Sequence, residues 1–377
     1  MPSTTAPDVF DLLNNLQGVQ QADVHKLAKV QATKVVTAAS KELQENPWLI
    51  EPRMPDYIDG MAIKAGSHTY SMQDVKRMIL PRPGKRRVNV GFFGPAGTGK
   101  TAGAFFLSDL INMDTLDHNK AVYERNLEHA QKDEPLEDYK QLRFPLYHTS
   151  CHDGTRSEDL TIKPRFTVND NGDTVMEMVM SDALTAYSKG GILIIEEWDM
   201  ALPGVWSELH AMFEASSKSV MFQGKQYVRH DDFVVLATGN TRGKGENDMA
   251  FAGTQVQNSA FQSRFRWFPV NYLPAHVEVD VLTKNGLRDD IADIMVECAT
   301  KIRKAASDEE FTCEMSLRDL LSWGDEIIDL ASDKGLDSST PLQTYWSDAV
   351  EPASYPTFLW RMDEEEQIAV SNYLKIV

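Results

Sequence analysis

The sequence is poor in cysteine, in basic residues and in long apolar runs, and each shortage excludes a class of protein. Cys151, Cys298 and Cys313 are the three cysteines of a 377-residue chain. They are widely spaced and odd in number, which argues against a disulfide framework and suits a reducing compartment. No Cys-x-x-Cys pair occurs, so a zinc site of the usual spacing is absent. No apolar run nears the ~18 residues that a membrane span needs, and the N-terminal residues carry no signal-peptide pattern. These absences predict a cytoplasmic protein without membrane association. Lys and Arg number 38 against 56 Asp and Glu, a net charge of −18. That deficit argues against binding along a nucleic-acid backbone. The cluster Lys85-Arg86-Arg87 reads as a solvated strand entry.

What is present is ordinary for a globular protein, with 42% hydrophobic and 25% charged residues. The length allows one large domain with smaller additions. Residues 8–45 read as helical, from apolar positions such as Leu12, Leu16, Leu27 and Val35, and Asn46-Pro47 ends that pattern. Residues 54–79 lead towards the first core strand and are expected near the base of a bound nucleotide. Residues 88–93 form a short apolar run, and residues 101–113 a helix-like one. Residues 114–142 are polar and charged, a helical surface insertion. Further strands are expected over 144–150, 192–195, 233–238 and 264–272, with short helices over 181–189 and 205–216. Hairpins are expected over 165–179 and 219–230. From Leu273 onward the pattern is helical. The predicted divisions are an N-terminal helical segment (1–50), an α/β nucleotide-binding domain (51–272) and a helical lid (273–377).

The chemistry is concentrated in three places. Gly94-Pro95-Ala96-Gly97-Thr98-Gly99-Lys100-Thr101 fits the phosphate-loop pattern G-x-x-x-x-G-K-[ST], between an expected strand and an expected helix. Its glycines let backbone N–H groups approach phosphate oxygens, and the following helix start adds positive potential. Lys100 is expected to reach the β- and γ-phosphates of ATP, and Thr101 to hold Mg²⁺. Ile192-Leu193-Ile194-Ile195 has the continuous apolar character of a strand buried on both faces, and it ends in Glu196-Glu197. Glu196 is the expected metal carboxylate and Glu197 the group that polarises the attacking water. Ala237-Thr238-Gly239-Asn240 ends the next buried strand. Alternating strands and helices around a phosphate loop give a parallel sheet with the ligand at the carboxyl ends of its strands.

Taken together, the phosphate loop, ILIIEE and the ATGN strand end resemble AAA+ ATPases of the MoxR branch. Residues 235–282 and 150–163 are similar in particular to the CobS-type motor subunits of aerobic cobaltochelatase. The resemblance covers roughly residues 85–110 and 144–377. It implies an α/β P-loop NTPase with β-hairpin insertions and a C-terminal helical lid. It also implies a homo-oligomeric, hexameric ring that hydrolyses ATP with Mg²⁺. Under it Asn240 matches the sensor-1 residue, Arg264 the arginine finger that reaches a neighbouring subunit's γ-phosphate, and Arg318 the sensor-2 arginine of the lid. The implied partners are a chelatase subunit and a protein carrying a von Willebrand A-type domain, with cobalt insertion as the output. One departure is Glu196, where the family usually has Asp. The extra methylene moves the carboxylate outward by about one C–C bond and could alter metal geometry.

Other candidates have plainer readings. His148, Cys151, His152 and Asp153 contain metal-binding residue types, but on a strand end and loop their spacing does not align ligands as a helix would. Trp198 and Trp206 read as packing residues. The two hairpins are the expected protein-contact sites. Three alternatives stay open: a MoxR-type chaperone for another enzyme, a nucleic-acid motor of a restriction-type system, and a nucleotide-gated adaptor ring with little hydrolysis.

Overall fold

A computed structural model describes residues 63–65, 68–80, 88–132, 134–135, 137–168, 172–241, 243, 253–308 and 310–374. The expected helices before residue 46, the Lys85-Arg86-Arg87 cluster and the tip of the first hairpin lie outside these residues. The chain divides into two compact units, residues 53–111 with 143–377 and a smaller unit that contains 112–142.

The larger unit begins with a short antiparallel pair, β1 (Ile63–Ala65) and β2 (His68–Tyr70), and helix α1 (Met72–Ile79). Ser71 and Asp74 form a reciprocal capping box at the start of α1. Strand β3 (Asn89–Phe93) runs into the phosphate loop and helix α2 (Lys100–Lys132). Next come β4 (Leu146–Ser150), the hairpin β5 (Ile162–Val168) and β6 (Thr174–Met180), α3 (Asp182–Lys189) and β7 (Gly191–Glu196). Two short helices follow, α4 (Pro203–Glu208) and α5 (His210–Phe213), where the sequence suggested one. The second hairpin is β8 (Ser219–Phe222) and β9 (Lys225–Val228), and β10 (Phe233–Gly239) returns to the core. A helical turn, α6 (Ser259–Gln262), precedes β11 (Phe265–Pro269), so Arg264 stands just before the strand rather than in it.

The core sheet has the order β11-β3-β10-β7-β4 with every pairing parallel. Every residue of β10, and Gly191–Ile195 of β7, is buried. Sheets covered on both faces select such unbroken apolar runs, which is why these two strands were the most legible in the sequence. Under the carboxyl end of β7, Trp198 and Trp206 are fully buried with Phe213 and Phe261, and the half-buried Trp267 packs against them. Ring centroids stand 4.7 Å apart for Trp206–Phe261 and for Trp198–Trp267. They are packing residues, as their sequence context implied.

The lid is all helical: α7 (Ala275–Lys284), α8 (Asp289–Ser307), α9 (Leu317–Asp333), α10 (Leu342–Tyr345), α11 (Glu351–Thr357) and α12 (Glu364–Leu374). Its core joins Ile291, Met295, Leu320, Trp323 and Phe358, and the Trp323 indole donates to the Val350 carbonyl at 2.9 Å. Burying an indole without that partner would cost roughly 1–3 kcal/mol.

In the smaller unit α2 continues well beyond residue 113. The stretch 114–132 holds neither Gly nor Pro, and Leu116, Asn119, Val122 and Asn126 form one buried stripe at helical spacing. Two of these asparagines bind the returning chain like bases reading an edge. Asn119 donates to the Lys140 carbonyl at 2.9 Å and accepts from its N–H at 2.9 Å; Asn126 does the same at Glu137, at 3.0 and 2.7 Å. The last part of the expected helical insertion, residues 137–142, is therefore a non-helical return segment held by side chains.

Candidate functional site

The phosphate loop is shaped by two close approaches. Gly94 has φ 150°, and a Cβ there would collide with the Val270 carbonyl oxygen. Gly97 has φ 69°, and a Cβ there would collide with Ser316 of the lid. Glycine is required at both for steric reasons. Lys100 folds back on its own loop, donating to the carbonyls of Gly94 at 2.7 Å and Pro95 at 2.5 Å. Burial pushes its ammonium down to about 8, with the Arg318 charge acting in the same direction and Asp199, Glu197 and Glu314 opposing.

Ala96, Gly97, Gly99, Lys100, Thr101, Glu197, Asn240 and Arg318 line one cavity of 570 Å³ with lid residues Leu317 and Leu321. That size lies within the range of small-molecule sites. Neither Glu196 nor Arg264 is among its lining residues; the Arg264 Nε stands 3.4 Å from Glu214 Oε2 and its guanidinium donates to the Ala260 carbonyl.

The two acids at the end of β7 differ in backbone and partners. Glu197 is in the left-handed region, φ 51° and ψ 40°. For a non-glycine residue that costs roughly 1–2 kcal/mol, and it turns the chain out of the strand as Glu197 joins the cavity lining. Glu196 carries the strand to its end, near the Thr101 hydroxyl, and accepts from His148, whose Nε2 lies 3.3 Å from Oε1. The His148 hydrogen bond is the main reason the Glu196 carboxyl sits below its usual range, and the same bond holds the imidazole above its own. Thr101 and Glu196 thus offer two adjacent hard oxygens, the donor type that Mg²⁺ takes.

One residue was missed in the sequence. Asp199 is fully buried, and its Oδ2 accepts from the Thr241 N–H at 2.6 Å and hydroxyl at 2.7 Å. Its main-chain carbonyl accepts from the Gln255 N–H at 2.8 Å. Burial raises its carboxyl although the Thr241 bonds pull the other way. Asp199 therefore fixes the chain just after Asn240 to the turn just after Glu197. A third acid so close to Glu196-Glu197 was the available signal. His148 was noticed and read as a poor metal candidate, because strand register is not written in local spacing. Burial pushes the neighbouring Cys151 thiol up to about 12, so it is no thiolate nucleophile at neutral pH.

The lid end of the cavity is braced separately. Arg303 donates to both Glu278 oxygens, at 2.8 and 2.9 Å, and to the Met315 carbonyl at 2.6 Å, while stacking on Tyr272 at 4.0 Å. Tyr272 donates to Glu314 at 2.5 Å. Ser316 and Asp319 then form the capping box of α9, and Arg318 lies in its first turn.

A five-stranded parallel sheet with a glycine loop at the end of β3 and an acid pair at the end of β7 defines a P-loop nucleoside-triphosphatase. Residues 136–265 match the model of the AAA domain, dynein-related subfamily. The chain is 26% identical over 218 residues to the aerobic cobaltochelatase subunit CobS of Sinorhizobium sp., a match covering 55% of this chain and 65% of CobS. Uncharacterised proteins of Staphylococcus saprophyticus and Staphylococcus haemolyticus are 24% and 22% identical over 290 residues, covering 76% of this chain and 90% of each relative. The chain therefore resembles AAA+ ATPases, and is similar to CobS over the matched span. Among the described residues no helix is long and apolar enough to cross a membrane.

Proposed function

We propose that this protein is a ring-forming motor of the MoxR branch that couples ATP hydrolysis to the remodelling of a partner protein. The observation that carries the reading is a division of the site. Lys100, Glu197, Asn240 and Arg318 line one cavity, while Arg264 is held by Glu214 outside that lining. A second copy supplying Arg264 completes the site, so turnover requires a homo-oligomer, taken here as the hexamer of the branch it resembles.

In this mechanism Lys100 leaves the carbonyls of Gly94 and Pro95 for the β- and γ-phosphate oxygens. The N–H groups of the glycine loop hold the remaining phosphate oxygens. Thr101 and Glu196 would hold Mg²⁺, which would neutralise charge on those phosphates. Glu197 accepts a hydrogen bond from water and orients it in line with the γ-phosphorus, and Asn240 steadies the γ-phosphate. The water oxygen bonds to phosphorus as the bridging P–O bond breaks, releasing ADP and phosphate. Arg318 in cis and Arg264 in trans stabilise charge on the transferring group; a finger of this kind is worth ~10³–10⁵ in rate.

Lid contact with the phosphate loop supplies the mechanical output, because phosphate occupancy biases where the lid rests. The hairpin β5–β6 is the proposed partner contact. CobS is a cobaltochelatase subunit by name. By that likeness the partner proposed here is a multi-subunit enzyme, with a chelatase subunit and a von Willebrand A-type protein as its members and cobalt as a substrate. The acidic balance of the chain favours a protein partner over a nucleic acid.

Mixing tests the shared site. Lys100→Ala and Arg264→Ala subunits, each inactive alone, should regain measurable ATPase activity together, since some interfaces then carry both residues. Mixed rings that assemble and stay inactive would overturn the trans assignment.

A further inference from the structure

Past their last paired residues, β7 and β10 are held together by a side chain. The parallel ladder between them ends with Ile195 opposite Ala237. Glu197 then enters the left-handed region, and its carbonyl accepts from the Met200 N–H at 2.9 Å to close a short turn over 198–200. That turn takes the β7 main chain out of the ladder. Asp199, fully buried in the turn, makes the next link: Oδ2 accepts from the Thr241 N–H at 2.6 Å and from its hydroxyl at 2.7 Å. Asp199 and Thr241 each stand four residues beyond the Ile195–Ala237 pair. The carboxylate therefore keeps the register of the sheet where its backbone has stopped doing so.

Glu197 and Asn240, the two groups assigned to the water and the γ-phosphate, both lie inside the span so closed and both line the cavity. Gly239 is pressed on the same turn, where a Cβ would stand 2.6 Å from Trp198 Nε1 and 2.7 Å from Asp199 Oδ1. Asn240 thus projects from main chain that is held on both sides. The turn itself is anchored from its far side. The Asp199 carbonyl accepts from the Gln255 N–H at 2.8 Å, and the Gln257 amide donates to the carbonyls of Asp199 at 3.3 Å and Ala201 at 2.7 Å. Asp199 is the fixed half of the clamp, and the strand end bearing Asn240 is the half it holds.

We propose that Asp199 and Thr241 are positioning residues for hydrolysis, and that the bonds between them set the spacing of Glu197 and Asn240. This rests on the reading above in which Glu197 orients water and Asn240 steadies the γ-phosphate. A reacting group misplaced by about 1 Å can cost ~10²-fold in rate. ATP binding rests on the glycine loop and Lys100, which the clamp does not hold. Loosening it should therefore lower kcat and spare ATP affinity.

The test compares two substitutions in the full-length protein. Thr241→Val keeps the shape of the side chain and the N–H bond but removes the hydroxyl, whereas Thr241→Ser keeps both bonds. Thr241→Val should lose about tenfold in kcat with ATP affinity within about twofold of wild type, and Thr241→Ser should recover most of the kcat. Added to Asn240→Ala, Thr241→Val should cost less than about a further twofold, because the group it positions is gone. Wild-type kcat in Thr241→Val, a matching loss of ATP affinity, a serine variant no better than the valine one, or the full loss repeated on Asn240→Ala would each overturn the proposal. Wild-type kcat in Asn240→Ala itself would instead overturn the reading of Asn240 on which the proposal rests.

Discussion

Gly97 at the crown of the phosphate loop lies directly against Ser316, the residue that caps the lid helix carrying Arg318. The contact joins two parts of the chain more than two hundred residues apart, with no room for a side chain between them. Gly97→Ala should therefore lower ATP affinity by tenfold or more, from left-handed strain of roughly 1–2 kcal/mol plus the displaced cap. Equilibrium titration with a fluorescent ATP analogue checks this.

Glu197 gives a separable outcome. Glu197→Gln keeps the shape and the left-handed backbone, so ATP binding should persist while turnover falls by roughly 10²–10⁴. Phosphate release measured beside nucleotide retention distinguishes the two. Equal loss of binding would return Glu197 to a structural role and leave the low-hydrolysis adaptor ring standing.

Lys100 sets a pH limit. Burial lowers its ammonium to about 8. Phosphates restore the charged form, so binding above that pH requires proton uptake. ATP affinity should be flat below about pH 7.5 and fall by up to about tenfold per unit well above 8. Calorimetry at pH 8.5 in buffers of different ionisation enthalpy should report roughly three quarters of a proton taken up.

The Glu278–Arg303 pair is a stability element. Glu278 is fully buried, and Arg303 nearly so, with hydrogen bonds on both sides. Removing one partner strands the other, and Arg303→Met should cost roughly 3–5 kcal/mol in chemical denaturation. A loss within about 0.5 kcal/mol would show that the pair is solvated.

The hairpin β5–β6 should behave in the opposite way. Its register puts Phe166 opposite Met176 and Pro164 opposite Met178 on one face, and Phe166 is 70% and Met176 61% exposed. Phe166→Asp with Met176→Asp should change stability little, since exposed positions usually stay within about 0.5 kcal/mol each. Partner-stimulated ATPase activity should fall while basal activity is retained.

The strands β7 and β10 and the phosphate loop were legible because their signals are local: an unbroken apolar run, or glycines at fixed offsets before Lys100. The continuation of α2 to Lys132 was less so, because its polar stripe of Asn119 and Asn126 conceals burial that only the returning chain at Glu137 and Lys140 reveals. Likewise Arg264 was read as a strand residue, and its place just before β11 follows from the α6 turn.

By itself, then, the sequence determined that a phosphate loop, an acid pair and a polar strand end lie on one parallel sheet, since each is specified by neighbours within a few residues. The tertiary structure alone decided what completes them. His148 reaches Glu196 through the register of two strands, Asp199 ties Thr241 to the turn after Glu197, and Ser316 meets Gly97 through the packing of the lid. Register and packing are set by the whole buried surface, and no short stretch of sequence contains them.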